Sequence, residues 1–212
     1  ENTKAILANS VSGSGLKEVL TASRQLMKEK LDRLKSKGLL VKTTRALIIG
    51  IPNVGKSTFI NRLAGRSATQ TGDKPGVTKA KQWIKVGPEL ELLDTPGILW
   101  PKFEDKRAGM YLAFTGAIKD EILDVNVLAQ NLLAELAGKF PEKLKARYKL
   151  EEIPAGIAPE KLLEIIARKR GCLIAGGEID VQRASIMLLD EFRGGKIGAI
   201  SLESPEEFES GQ

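Results

Sequence analysis

Gly50-Ile51-Pro52-Asn53-Val54-Gly55-Lys56-Ser57 fits the pattern Gly-x4-Gly-Lys-[Ser/Thr] of a phosphate-binding loop. Ahead of it, Arg45-Ala46-Leu47-Ile48-Ile49 is apolar and β-branched enough for a buried parallel strand. Behind it, Ser57-Thr58-Phe59-Ile60-Asn61-Arg62-Leu63 places Phe59, Ile60 and Leu63 at helical spacing. A glycine-rich turn with an incidental lysine would satisfy the fixed positions equally well. Strand, glycine loop and helix in that order favour phosphate binding.

The chemistry follows from the backbone. Gly50 and Gly55 allow shapes that a Cβ would obstruct, so successive N–H groups can turn toward a phosphate. A helix N-terminus adds unsatisfied donors and partial positive charge. Lys56 can neutralise the β- and γ-phosphates, and the Ser57 hydroxyl can ligate Mg²⁺. Pro52, Asn53, Val54, Gly55 and Thr58 complete the expected nucleotide-binding stretch.

Composition sets the limits. The 212 residues allow one large domain, or a larger and a smaller one. There is no histidine, so no Ser-His-Asp or Cys-His mechanism can operate within the sequence. The single cysteine, Cys172, excludes an internal disulfide and supplies no zinc spacing; it reads as a small core residue. No apolar run reaches membrane-spanning length and no signal peptide is evident, so a cytoplasmic protein is expected. Charge is uneven. Residues 1–116 hold 20 Lys+Arg against 10 Asp+Glu, and residues 117–212 hold 13 against 17. A basic half suggests a polyanionic partner, although a solubilising surface would look the same.

The remaining chain can be read in order. Residues 4–10 suggest a short strand, and Ser14 a helix cap. A helix from about residue 16 to 37 carries Leu16, Val19, Leu20, Leu26, Met27, Leu31 and Leu34 on one face and a strip of Lys and Arg on the other. That strip is either a solvated face or one turned toward RNA. Residues 66–81 lack apolar periodicity and contain Gly72, Pro75 and Gly76, as a loop would. Its Thr78 can complete Mg²⁺ coordination when a γ-phosphate is present. Residues 82–86 and 89–93 read as strands. The second delivers Asp94-Thr95-Pro96-Gly97, where Asp94 can bind Mg²⁺ through water and the Gly97 N–H can reach the γ-phosphate. Lys56, Thr78 and Gly97 are thus the expected catalytic set, and Ser57, Thr78 and Asp94 the magnesium set. Helices are expected over residues 107–115, 125–136, 141–148, 159–170 and, capped by Asp180, up to 193. Residues 196–202 suggest a short strand or extended tail.

Phosphate loop, threonine loop and Asp-x-x-Gly make the triphosphate half of a GTPase. Neither Asn-Lys-x-Asp nor a Ser-Ala loop follows Gly97. A loop reading Asn9-Ser10-Val11-Ser12-Gly13 instead precedes the phosphate loop and resembles the guanine-side loop moved to the front. The sequence therefore resembles a circularly permuted GTPase, with Asn9, Ser10 and Val11 beside the base. Further stretches narrow the likeness: Asp94 through Phe103, then Thr115-Gly116-Ala117-Ile118-Lys119-Asp120, then Lys169-Arg170-Gly171-Cys172-Leu173 and Gly176-Gly177. These resemble the ribosome biogenesis GTPase A (YlqF/RbgA) family across nearly the whole chain.

The resemblance implies an α/β P-loop GTPase domain with permuted motif order over residues 1–116, its sheet mostly parallel with helices on both faces. A small all-α C-terminal domain over residues 117–212, contacting RNA, is implied with it. It implies GTP hydrolysis to GDP with Mg²⁺, on the precursor of the large ribosomal subunit and its rRNA, stimulated by the ribosome; a monomer without membrane contact is expected. Where Ras-type GTPases place a water-orienting glutamine, Ile98 stands, so slow unaided turnover is expected. Asn53 resembles the asparagine of potassium-stimulated GTPases and implies a K⁺ site. The family's Asn-Lys-x-Asp is not in this sequence, since Asn2-Thr3-Lys4-Ala5 does not match; either it lies ahead of Glu1, which is the expectation, or guanine specificity is lost. Two other readings stay open: an RNA-binding assembly protein whose nucleotide only tunes affinity, and a generic P-loop ATPase.

Overall fold

The computed structural model describes residues 5–39, 43–65, 82–95 and 105–205. The chain divides into two units, Glu1–Pro101 and Lys102–Gln212.

The first unit contains helix α1 (Leu16–Ser36), strand β1 (Thr44–Leu47), helix α2 (Lys56–Ala64), and strands β2 (Gln82–Val86) and β3 (Leu90–Asp94). The strand order is β1-β3-β2. β1 runs parallel to β3, in the register Thr44↔Leu90 to Leu47↔Leu93, and β2 runs antiparallel to β3. Gly87, at φ 63°, turns the β2–β3 hairpin, and Pro88 follows it. The expected mostly parallel sheet is therefore, among the described residues, one parallel and one antiparallel pairing.

Ile84 and Val86 stand opposite Leu92 and Leu90 across the ladder, so all four share one face. They are buried together with Ile60 of α2, and Leu20 of α1 and Leu63 pack at the margin. The other face differs. Leu47 and Trp83 are about half exposed, Arg45 lies over the Trp83 ring at 4.8 Å, and it pairs with Glu91 at 3.2 Å. The expected helices on both faces are thus not found among this unit's described residues. Burial alternates with period 2 along β1 and at the end of β2, so the sheet has one covered and one exposed face, unlike a doubly covered sheet.

Two local expectations are corrected. Residues 5–9 form no strand; at their end, the Asn9 amide donates to the Ser14 carbonyl and the Asn9 carbonyl accepts from the Gly13 amide, in a tight loop. Gly15 at φ 78° is the residue flanking α1, and Ser14 makes no side-chain cap bond there. The apolar stripe of α1 is only partly covered: Leu16 and Ala22 are buried, and Leu26 is 74% exposed.

The second unit is helical: α3 (Lys106–Phe114), a 3₁₀ turn (Asp120–Ile122), α4 (Val125–Lys139), α5 (Pro141–Tyr148), α6 (Pro159–Arg170) and α7 (Val181–Arg193). The start signals act as chemistry predicts. Asp105, Asp124 and Asp180 accept amide hydrogen bonds from the first turns of α3, α4 and α7, and prolines open α5 and α6. Leu132, Leu133 and Leu136 of α4 pack with Leu144, Leu163, Ile166 and Leu188 in one core. Residues 196–202 contain no strand; the Lys196 amide bonds back to Glu191 of α7 and the Gly198 amide to Gly195.

The expected division at residue 116 moves toward the N-terminus. Tyr111, Ala113 and Phe114 of α3 are buried in the helical core, so α3 belongs to the second unit. Arg193 secures it. Its guanidinium donates to the carbonyls of Ala113 and Phe114 and, in a fork, to both carboxylate oxygens of Asp120 at 2.7 and 2.8 Å. Gly116 leaves room for it, since a Cβ there would meet Arg193 Nε at 3.2 Å.

Candidate functional site

Each end of the phosphate loop is fixed by its own sequence. A Cβ at Gly50 would lie 3.2 Å from Val54 Cγ2, so the exposed Val54 side chain would have to give by a few tenths of an ångström. Asn53 takes a left-handed backbone, φ 58°, which asparagine tolerates better than most side chains. Gly55 follows at φ 85° and flanks α2. No side chain caps this helix, so its N-terminal amides face the loop rather than a Ser, Thr or Asp oxygen.

Lys56 folds over the loop. Its Nζ donates to the carbonyls of Gly50 at 3.0 Å and Ile51 at 2.7 Å, which holds the ammonium above the peptide groups. Partial burial pulls its pKa below the ordinary lysine value, and the negative charge of Asp94 opposes that shift. Ser57 follows in the first turn of α2.

Asp94 is fully buried at the end of β3. Two bonds beyond the ladder hold that end: the Ile48 amide donates to the Leu93 carbonyl at 3.1 Å, and Thr95 Oγ1 donates to the Ile48 carbonyl at 2.8 Å. Sequence reasoning named Thr95 within its motif without assigning this tie. Only the separation of 47 residues, closed by parallel pairing, reveals it.

The donors present suit a hard, hydrated cation. Ser57 offers a hydroxyl and Asp94 a buried carboxylate, while no cluster of three His, Cys, Asp or Glu occurs among the described residues. That is the sparse set Mg²⁺ uses when waters and phosphate oxygens supply the other positions.

Asn9, Ser10 and Val11 form a separate loop in the same unit. Asn9 Oδ1 accepts the amides of Val11 and Ser12, both at 2.9 Å, while the Asn9 amide donates to the Ser14 carbonyl. Gly15 closes the turn so tightly that a Cβ would stand 2.0 Å from the Leu7 carbonyl oxygen. From α2, Arg62 donates to the Ser12 carbonyl at 3.2 Å. Sequence reasoning missed Arg62, since no periodicity marks it. Thr78, Gly97 and Ile98 lie outside the described residues.

A phosphate-binding loop, a buried strand-end aspartate and a forward-placed loop now stand in one unit. The family model for 50S ribosome-binding GTPases matches residues 45–155. A ribosome biogenesis GTPase A from Bacillus licheniformis is 55% identical over 199 residues, covering 94% of this chain and 70% of that protein. The chain belongs to the ribosome biogenesis GTPase A family. Its Bacillus cereus relative is 53% identical over 204 residues, covering 96% of the chain and 68% of that protein. Among solved structures, GDP-bound YlqF is similar at a TM-score of 0.56 and 28% identity, covering 86% of this chain and 67% of that one. GNP-bound YlqF from T. maritima is similar at 0.51 and 29%, covering 86% and 66%.

Two of the stretches that resemble this GTPase A family therefore have a structural basis in the helical unit. Asp120 receives the Arg193 fork, and Arg170 donates to the buried Glu191 at 2.6 Å. Gly171 ends α6 in the left-handed conformation, and Cys172 is a buried free thiol, as expected of a core residue. Among the described residues no helix is long and apolar enough to cross a membrane.

Proposed function

We propose that this chain binds and hydrolyses GTP and uses the nucleotide state to act in assembly of the large ribosomal subunit. The observation carrying this reading is the loop from Gly50 to Ser57, with an uncapped α2 behind it and Lys56 over it, in a family of GTPases. The α2 amides, with those of Asn53, Val54 and Gly55, hold the β-phosphate. Pro52 and Thr58 flank them, and Lys56 spans the β- and γ-phosphates. Ser57, Asp94 and Thr78 would hold Mg²⁺, which would neutralise charge on the phosphate oxygens. Gly97 and Thr78 respond to the γ-phosphate. Asn9, Ser10 and Val11 flank the base, so the motif order is circularly permuted.

Ile98 carries no group able to orient water, so hydrolysis by the chain alone is slow and a ribosomal particle accelerates it. Stimulated and unstimulated GTPases differ by roughly 10³–10⁵-fold. Asn53 would hold K⁺, which would supply added positive charge for the phosphates. The helical unit and the basic face of α1 bind rRNA, and the protein works as a cytoplasmic monomer.

Hydrolysis measured with and without large ribosomal subunits tests this. Acceleration by the subunit supports the proposal, and equal rates contradict it. Turnover identical in Na⁺ and K⁺ removes the potassium site alone.

A further inference from the structure

The loop from Asn9 to Gly15 lacks apolar anchorage: its one apolar side chain, Val11, is 82% exposed, and Leu7 just ahead of it is 96% exposed. Its shape is internally specified by the Asn9 carboxamide and by the close approach of Gly15 to Leu7. Its position is a separate matter, because a well-formed turn can still swing as a body. Arg62 supplies a bond from another element, NH2 to the Ser12 carbonyl at 3.2 Å. The contact is broader than that bond. The guanidinium lies against Gly13, where a Cβ would meet Nε at 3.2 Å and NH2 at 3.3 Å, and Gly13 takes φ 84°.

Arg62 and Lys56 belong to one helix. Six residues separate them, about 9 Å along the axis. The N-terminal end of α2 thus faces the phosphates while its last turn grips the loop assigned to the base. We infer that Arg62 is a positioning residue for guanine-nucleotide binding, which sets the base-side loop at a fixed distance from the phosphate loop. It rests on the reading that Asn9, Ser10 and Val11 flank the base. Arg62 touches no nucleotide atom; it acts through Ser12 and Gly13. Its planar fork suits this contact, whereas a lysine reaches the Ser12 carbonyl without covering Gly13.

The test uses the full chain with Mg²⁺ and GDP, comparing wild type, Arg62→Ala and Arg62→Lys by calorimetry and amide hydrogen exchange. Arg62→Ala is expected to weaken GDP binding about tenfold, the equivalent of one charge-assisted hydrogen bond. Exchange should rise at Val11, Ser12 and Gly13 and stay unchanged at Phe59, whose amide bonds to Gly55 within α2. Arg62→Lys should recover part of the affinity. GDP affinity within twofold of wild type for Arg62→Ala overturns the inference. So does a loss accompanied by equal exchange gains along α2, which marks damage to the helix. Failure of the wild type to bind GDP overturns the underlying site assignment instead, and is seen before any variant is compared.

Discussion

Thr95 Oγ1 donates to the Ile48 carbonyl at 2.8 Å, joining the chain just past β3 to the chain just past β1. The residues on either side are the two that matter most: Asp94 precedes Thr95, and the phosphate loop begins two residues after Ile48. The bond sets the spacing between a carboxylate and a phosphate cradle that come from opposite ends of a 47-residue connection.

Replacing that hydroxyl should loosen the spacing without changing side-chain shape. Thr95→Val leaves the Ile48 carbonyl unpaired in a half-buried place, at a cost of about 1–2 kcal/mol. Amide exchange at Ile48, whose N–H bonds to Leu93, should rise roughly 5- to 30-fold. Unchanged exchange would show that the backbone ladder alone holds the strand ends.

Gly15→Ala should damage the forward loop far more than a surface substitution would. The new Cβ would meet the Leu7 carbonyl oxygen at 2.0 Å, and φ 78° is strained for alanine. Loss of GDP affinity, with the helical unit's unfolding midpoint unaltered, is the expected result. Gly138→Ala provides the contrast. That site lies in α4 with nothing within 4 Å, so alanine should stabilise the helix by about 0.5 kcal/mol in urea unfolding.

Acid should unfold the helical unit through Glu191. This carboxylate is buried and receives Arg147 at 2.5 and 2.9 Å and Arg170 at 2.6 Å. The Arg147 hydrogen bonds hold its pKa below the ordinary glutamate value, against the opposing effect of burial. A depressed pKa in the folded state gives stability that is present above the unfolded carboxylate range, about 4.3. It is lost as pH falls through the folded value. Glu191→Gln should flatten the pH dependence of unfolding below about pH 4.3. At neutral pH it should cost on the order of 3 kcal/mol, because both arginines lose their counter-charge. An unchanged acid limb would assign that dependence to other carboxylates.

Much of this was legible in the sequence because local chemistry dictated it. The phosphate loop, the Asp180 cap, the prolines opening α5 and α6 and the α4 stripe each depend on residues within a few positions of one another. What was not legible depended on distance. Arg193 reaches across 79 and 80 residues to the Phe114 and Ala113 carbonyls, so α3 joins the helical unit and the division falls ahead of residue 116. Arg62 reaches 50 residues back to Ser12. Residues 4–10 carry strand-like composition, yet the Asn9 carboxamide and Gly15 impose a loop that propensity alone does not reveal. The stripe of α1 was correctly periodic, but period says nothing about whether a surface exists to cover it.

In the proposed function, Lys56 and the N-terminus of α2 grip the phosphates of a guanine nucleotide. Calorimetric titration of the full chain with GDP and Mg²⁺, wild type against Lys56→Ala, tests it most directly. Saturable binding by the wild type is expected, with roughly 10- to 100-fold weaker binding by the variant, whose far-ultraviolet dichroism stays native. Equal affinity in the two proteins, or no binding by the wild type, would contradict it.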